Sequence, residues 1–165
     1  MDDDLVASCH TEVHGLHDFF VEWFNDGIDD TDAEFARVAR ALHPSFSMVV
    51  PSGRTLDRVT ALKQIRGAHA SATEGDPVRI AIVDVVSLVA EAGGVLVNYE
   101  EQQFSGEVLQ NRRISTAYFT PVPGAPNGVQ WLRLHETLVS DGSRSVRGKK
   151  PDAGSAPSGD PLYQR

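Results

Sequence analysis

Residues 94–122 read GVLVNYEEQQFSGEVLQNRRISTAYFTPV. Two runs dense in β-branched and aromatic residues, 94–104 and 112–122, flank a turn signal, SGE at 105–107. So short a connection predicts an antiparallel pair of strands. The pattern continues outward on both sides. VRIAIVDVVSLVAEA at 78–92 leads in through GG at 93–94, and VQWLRLHETLV at 129–139 follows PGAPNG at 123–128. Four long strands with short connections form an antiparallel meander rather than βαβ units, which need a crossover of a dozen or more residues.

The first half of the chain has the other period. Leu5, Val6, Val13, Leu16, Phe20, Trp23 and Phe24 recur mostly at steps of three and four, the stripe of an amphipathic helix running to about Asn25. Gly27 suits its C-terminus. Thr31 or Asp32 caps a second helix whose buried side is Phe35, Val38, Ala39 and Leu42, ending before Pro44. FSMVVPSGRT at 46–55 reads as a short hairpin turning at PSGR. A third helix follows from Leu56 to about Ala72, capped by Thr55 or Asp57, with Val59, Leu62, Ile65 and either Ala68 or His69 facing inward. About three N-terminal helices packed in a curved, mostly antiparallel sheet make an α+β, cone-shaped fold. One domain is expected over residues 1–141, with a flexible tail rich in Gly, Ser, Pro and Lys over 142–165.

Composition narrows the function classes. At 165 residues the chain fits a single domain with a real core. A net charge of −8, without a basic cluster or an aromatic RNA-binding motif, argues against nucleic acid. No run approaches the roughly 20 apolar residues of a membrane helix. Cys9 is the sole cysteine, so neither an intrachain disulfide nor a cysteine-based zinc cage is available. An acidic start, MDDDLVASCH, does not resemble a secretory signal. The expectation is a cytoplasmic protein that needs no cofactor. His10, His14 and His17 lie on consecutive turns of the first helix, but the HExxH pattern is absent and a solvated face is the better account than a metal site.

The residues that could carry chemistry lie on the last three strands. Glu136 sits in a row of leucines, Leu132, Leu134 and Leu138, which predicts that it faces the cone. Alternation on 95–104 groups Leu96, Asn98, Glu100, Gln102 and Phe104, a set with a polar centre that suits a pocket, and puts Tyr99, Glu101 and Gln103 outside. Glu100 would then approach Glu136, and two carboxylates in a dry cone need a cation between them. Arg112 or Arg113 supplies it. Arg113 is preferred because it shares a face with Ser115 and Ala117. The candidate ligand-binding set is Glu100, Gln102, Arg113, Ser115, Tyr118 and Glu136. Such an Arg–Glu cluster is equally a structural network, with ligand orientation and acid–base catalysis as the other roles. Outward-facing Val95, Val97, Tyr99 and Trp131 would make the convex face apolar enough for a homodimer.

Three segments, FSMVVPSGRT, VNYEEQQ followed by RRISTAYF, and WLRLHET, occur in an order that resembles the nuclear transport factor 2-like superfamily across roughly residues 8–140. That superfamily includes SnoaL-like cyclases, ketosteroid isomerases, scytalone dehydratases and the association domain of calmodulin-dependent kinase. The closest resemblance is to its small stand-alone branch of domains of unknown function. In the kinase domain, positions three, five and seven after a similarly placed tryptophan face the pocket; here these are Leu134, Glu136 and Leu138. The isomerase pattern is not matched, because the first helix has His17 and Asp18 but no tyrosine. The resemblance implies the cone fold and a small-molecule pocket. The alternatives are an enzyme of the SnoaL or isomerase kind, using Glu100 or Glu136 as base, and a dimerisation module with a filled cone.

Overall fold

The computed structural model describes residues 3–140, so the expected tail at 142–165 lies outside the described residues. In chain order the elements are α1 (Asp3–Phe24), α2 (Asp32–Ala41), β1 (Leu42–Val49), β2 (Thr55–Asp57), α3 (Arg58–Gly67), β3 (Val78–Glu91), β4 (Gly94–Ser105), β5 (Val108–Pro121), a single 3-10 turn (Pro126–Gly128) and β6 (Val129–Leu138). The strands form one sheet in the order β2-β1-β6-β5-β4-β3. β1 runs parallel to β6, and the other neighbouring pairs are antiparallel. This is the α+β architecture expected from the sequence. Among the described residues no helix is long and apolar enough to cross a membrane.

Local chemistry sets the helix ends. Thr31 is the cap of α2, its side chain accepting from the Glu34 amide at 3.2 Å, and Asp57 caps α3 by accepting from the Thr60 amide at 2.8 Å. At the end of α1 the left-handed residue is Asp26 (φ 59°) rather than Gly27, whose amide donates to the Glu22 carbonyl at 2.8 Å. Leu42 already belongs to β1, so α2 is shorter than its apolar spacing suggested. The buried face of α3 is Ala61 and Ile65, continued by Ala68, while Val59 is 72% exposed. That helix is rotated from the expected phase.

Register shifts in β3, between β4 and β5, and between β5 and β6 add bulges along the sheet; such extra residues bend and twist strands. The concave side carries the fully buried Val95, Val97, Ala117, Phe119 and Trp131, against which α1 lays Val13, Leu16, Phe20 and Phe24. Trp23 locks α1 to α3 by donating its indole N–H to the Ile65 carbonyl at 2.9 Å. Cys9 is buried in the same core, and burial, then the charge of Glu12, pushes its thiol up to about 12, which makes it inert as a nucleophile.

Glu12 is the second tie. Its carboxylate is sealed from solvent and accepts from both Arg37 guanidinium nitrogens (3.0 and 2.9 Å), the Asn127 amide (2.8 Å) and the Trp131 indole (3.2 Å). One side chain of α1 thereby fastens α2, the 3-10 turn and β6.

Gly94 at the β3–β4 turn marks the tightest backbone approach. A Cβ there would come within 2.2 Å of the Phe119 carbonyl oxygen and 2.7 Å of the Tyr118 ring. Because the obstacle includes backbone, Gly94→Ala is expected to cost about 1–3 kcal/mol, read as a lowered urea midpoint with an unchanged slope.

Candidate functional site

Strand phase decides which side chains reach the cone. On β5, Arg113, Ser115, Ala117 and Phe119 alternate inward, each 1% exposed or less. On β6, Leu134 and Glu136 point inward, as expected from the sequence, but Leu138, expected with them, is 50% exposed near the strand's end. The bulge there, where Tyr118 pairs with Arg133 but Phe119 with Trp131, inserts Leu132 as an extra residue. It returns Trp131 to the concave face, so the sequence expectation of an outward Trp131 is corrected.

β4 has the opposite phase from the one expected. Val95, Val97, Tyr99, Glu101 and Gln103 are buried on the concave side. Glu100 and Gln102 therefore lie on the convex face, where Glu100 receives both Arg112 (2.8 and 2.9 Å) and Gln102 (2.7 Å). Tyr118 also lies on that face, one residue out of phase with Ala117 and Phe119. Of the candidate set, Arg113, Ser115 and Glu136 come together inside the cone. Glu100, Gln102 and Tyr118 do not.

The acid that stands beside Arg113 across the β4–β5 ladder is Glu101. It is joined by His17 of α1, whose Nε2 lies 3.3 Å from Glu101 Oε2 while its Nδ1 is 2.7 Å from the Val13 carbonyl. A carbonyl can only accept, so Nδ1 carries a proton. Nε2, when protonated, then donates towards the carboxylate and completes the ion pair. From Glu101 the contacts continue as a chain: Gln103 donates to it at 2.7 Å, Asn111 donates to Gln103 at 3.0 Å, and Arg113 donates to Asn111 at 3.0 Å. Arg113 then reaches both oxygens of Glu136 at 3.4 Å, longer than the 2.7–2.9 Å of a tight charge-assisted pair. Tyr99 faces Ser115 across the same ladder.

The electrostatics follow from burial. Desolvation alone would lower the His17 pKa. The charge of Glu101, its hydrogen bond, the Val13 carbonyl and the charge of Glu136 outweigh it, and the imidazole pKa is raised above 6.5. Burial works against the Glu101 carboxylate too, yet the charges of His17 and Arg113, with hydrogen bonds from His17 and Gln103, hold it down at about 2. Burial, with Glu101 and Glu136 nearby, keeps the Tyr99 phenol well above its usual range and neutral.

The pH dependence can be signed from these shifts. Stability contributed by His17 is complete below about pH 6.5 and is lost as pH rises through its raised folded value. Stability from Glu101 is complete above about pH 4.5 and is lost as pH falls towards 2. Urea denaturation across pH is expected to place the maximum between these limits, and His17→Gln to flatten the alkaline limb. An unchanged alkaline limb in that variant would remove His17 from the account.

Together these groups form the polar wall of a cavity of about 60 Å³. The opposite walls are mostly apolar, with Phe20 and Phe24 of α1, Phe46 and Met48 of β1, Leu56 of β2 and Ile65 of α3; the exception is Gln64 of α3, whose Oε1 is buried without a partner among the described residues. At roughly 10–15 Å³ per water, that space holds four to six waters, or an organic molecule of five to seven heavy atoms. His17, expected with His10 and His14 on a solvated face, is instead buried in the cavity wall, where it continues the 13-16-20-24 stripe of α1. His10 and His17 diverge, His10 reaching Ser87 Oγ at 3.0 Å. His69 binds the Ile28 carbonyl at 2.7 Å instead of entering the cone.

No family model matches the sequence, and no curated protein does. Solved structures do. An NTF-2 like protein of unknown function from Pseudomonas aeruginosa superposes with a TM-score of 0.69 at 22% identity, over 81% of this chain and 99% of its own. A Streptomyces avermitilis protein proposed to be a dehydratase of the NTF2-like family gives 0.57 at 20% identity, over 84% and 98%. The CaMKII hub homology domain of Chlamydomonas reinhardtii gives 0.53 at 15% identity, over 64% and 84%.

Proposed function

We propose, from the nuclear transport factor 2-like fold that this chain has, that it is a cytoplasmic module that binds a small molecule inside the cone and works as a homodimer. The observation that carries the binding reading is the cavity itself: one polar wall of His17, Glu101, Arg113 and Glu136 faces aromatic and aliphatic walls, with space left between them. A purely structural network would need no such space. A catalytic reading, suggested by the dehydratase-like neighbour, would fall to Glu101 or Glu136, since Glu100 is on the convex face. Glu101, held ionised at about 2 by His17 and Arg113, is a weak base, and the geometry favours binding over turnover.

A thermal-shift screen of fragments with five to seven heavy atoms tests the binding reading. Hits are expected to stabilise the wild type and to lose their effect in Leu134→Trp, which fills the cavity. Equal shifts in both proteins would place binding elsewhere.

Val95, Val97, Tyr99 and Trp131, expected on the convex face, are buried under the helices and are not available to a partner. A dimer would instead use the convex face, where Ile114 (38% exposed) stands opposite Glu100 and Val86 (51%) and Val89 (49%) lie farther along the same side, opposite Asn98 and Leu96. The likeness to a kinase hub homology domain is in keeping with assembly. Sedimentation equilibrium is expected to give twice the 17.9 kDa of one chain, and Val86→Glu with Ile114→Glu to give the monomer. A monomeric wild type at 100 μM would end this part of the proposal.

A further inference from the structure

Building on that binding reading, we infer that the cone selects an uncharged molecule with a hydrogen-bond donor, an alcohol rather than a ketone, an acid or an amine. Two observations carry this. The first is a charge count. The ionisable groups lining the cavity, apart from the neutral Tyr99, are His17, Glu101, Arg113 and Glu136. His17 Nδ1 is taken by the Val13 carbonyl and its Nε2 faces Glu101 Oε2 at 3.3 Å, the arrangement of an imidazolium–carboxylate pair. With His17 protonated against ionised Glu101 that pair sums to zero, and Arg113 with Glu136 sums to zero as well. A charged ligand entering this cavity meets no net countercharge and loses its hydration without replacement.

The second observation is which atoms the cavity meets. Arg113, the strongest donor, has its side chain 1% exposed and turned to Glu136 and Asn111. The Gln103 amide is spent on Glu101. The side chains of Glu136 and Glu101 each keep 5% exposure, and an ionised carboxylate only accepts hydrogen bonds. The acceptors turned to the cavity are these carboxylates and Gln64 Oε1, which is buried without a partner among the described residues, and a hydroxyl satisfies them. A ketone, bringing a second acceptor, would leave both oxygens without a proton between them. A carboxylate ligand would add repulsion to that mismatch.

Four probes of one carbon skeleton test this: 1-butanol, butanone, butyrate and butylammonium, each titrated into the full-length chain. With two tryptophans and two methionines in the sequence, the Trp131 indole and Met48 methyl resonances report on the cone directly. Butanol is expected to shift both resonances with an affinity at least tenfold better than the other three. Glu136→Gln, which adds a donor to the wall, is expected to narrow the gap between butanol and butanone to less than threefold. A best affinity for butyrate or butylammonium would overturn the inference while leaving the cone as the binding site. No shift of either resonance with any probe, in a chain whose spectrum is well dispersed, would overturn both the inference and the binding reading. If Glu136→Gln fails to fold, the wild-type ranking against Leu134→Trp decides alone.

Discussion

Arg113→Met is expected to be among the most damaging single substitutions in the chain, costing about 3–5 kcal/mol, because it strands buried carboxylates without their cation. The guanidinium is 1% exposed and is the only arginine among the cavity-lining residues. It sits between Glu136 and, across the β4–β5 ladder, Glu101. Methionine matches the length but supplies no donor, so Glu136 and Asn111 both lose a hydrogen-bond donor. For a domain of this size the loss corresponds to a melting temperature lower by about 10–20 °C. The control is its neighbour. Arg112 also forms a two-pronged contact with a glutamate, but its side chain is 33% exposed and Glu100, itself 8% exposed, keeps the Gln102 donor, so Arg112→Met is expected to cost less, about 1–2 kcal/mol. Equal losses for the two variants would mean that the cone's interior is wetter than its packing implies.

Glu12→Ala is expected to act on the same scale, about 3–5 kcal/mol, by a different route. It empties the junction of four elements rather than the cavity. The Trp131 indole N–H, in a side chain 1% exposed, loses its acceptor, and the Arg37 and Asn127 donors lose theirs. Because α2 and the 3-10 turn reach α1 through this carboxylate, hydrogen exchange in the variant should quicken most in α2 and around Asn127. Glu12→Gln keeps one acceptor oxygen and should recover part of the loss. A thermal melt of Glu12→Ala within 3 °C of wild type would show that the apolar contacts of α1 hold the junction without it.

The sequence was a good guide wherever the hydrophobic contrast between faces was strong. Strand order and turns on 78–139 followed from runs of β-branched residues, and α1 followed from a clean stripe. Arg113 was separable from Arg112 because Ser115 and Ala117 are small residues that a crowded interior accepts. β4 lacked that contrast. Its two faces, Val95-Val97-Tyr99-Glu101-Gln103 and Leu96-Asn98-Glu100-Gln102-Phe104, each start apolar and then turn polar. Alternation alone could not orient it, and a one-residue error in phase exchanged the whole set. Trp131 was misplaced for another reason: the bulge at Leu132 breaks the period of two, and nothing in the residue types marks a bulge there. His17 was hidden by its neighbours, since His10 and His14 drew it into a row of histidines when its spacing from Val13 and Phe20 put it in the core.

These corrections change the chemistry more than the fold. With Glu100 in the cone, Arg113 would balance two carboxylates alone. With Glu101 there instead, the second cation is His17, and the wall becomes a compensated quartet built from one helix and three strands. Such a wall serves recognition of a neutral molecule better than proton abstraction, since both carboxylates already face cations.

The most direct test of the binding account is a high-resolution crystal structure of the full chain as purified, with the electron density read in the cavity between Leu134, Glu136, Glu101 and Met48. The account requires an organic molecule, or an ordered cluster of waters in its place, touching a carboxylate oxygen of Glu136 or Glu101. A cavity closed by Phe20, Phe46, Met48 and Leu134 packed directly against the charged wall would contradict it and leave the cone as a structural core.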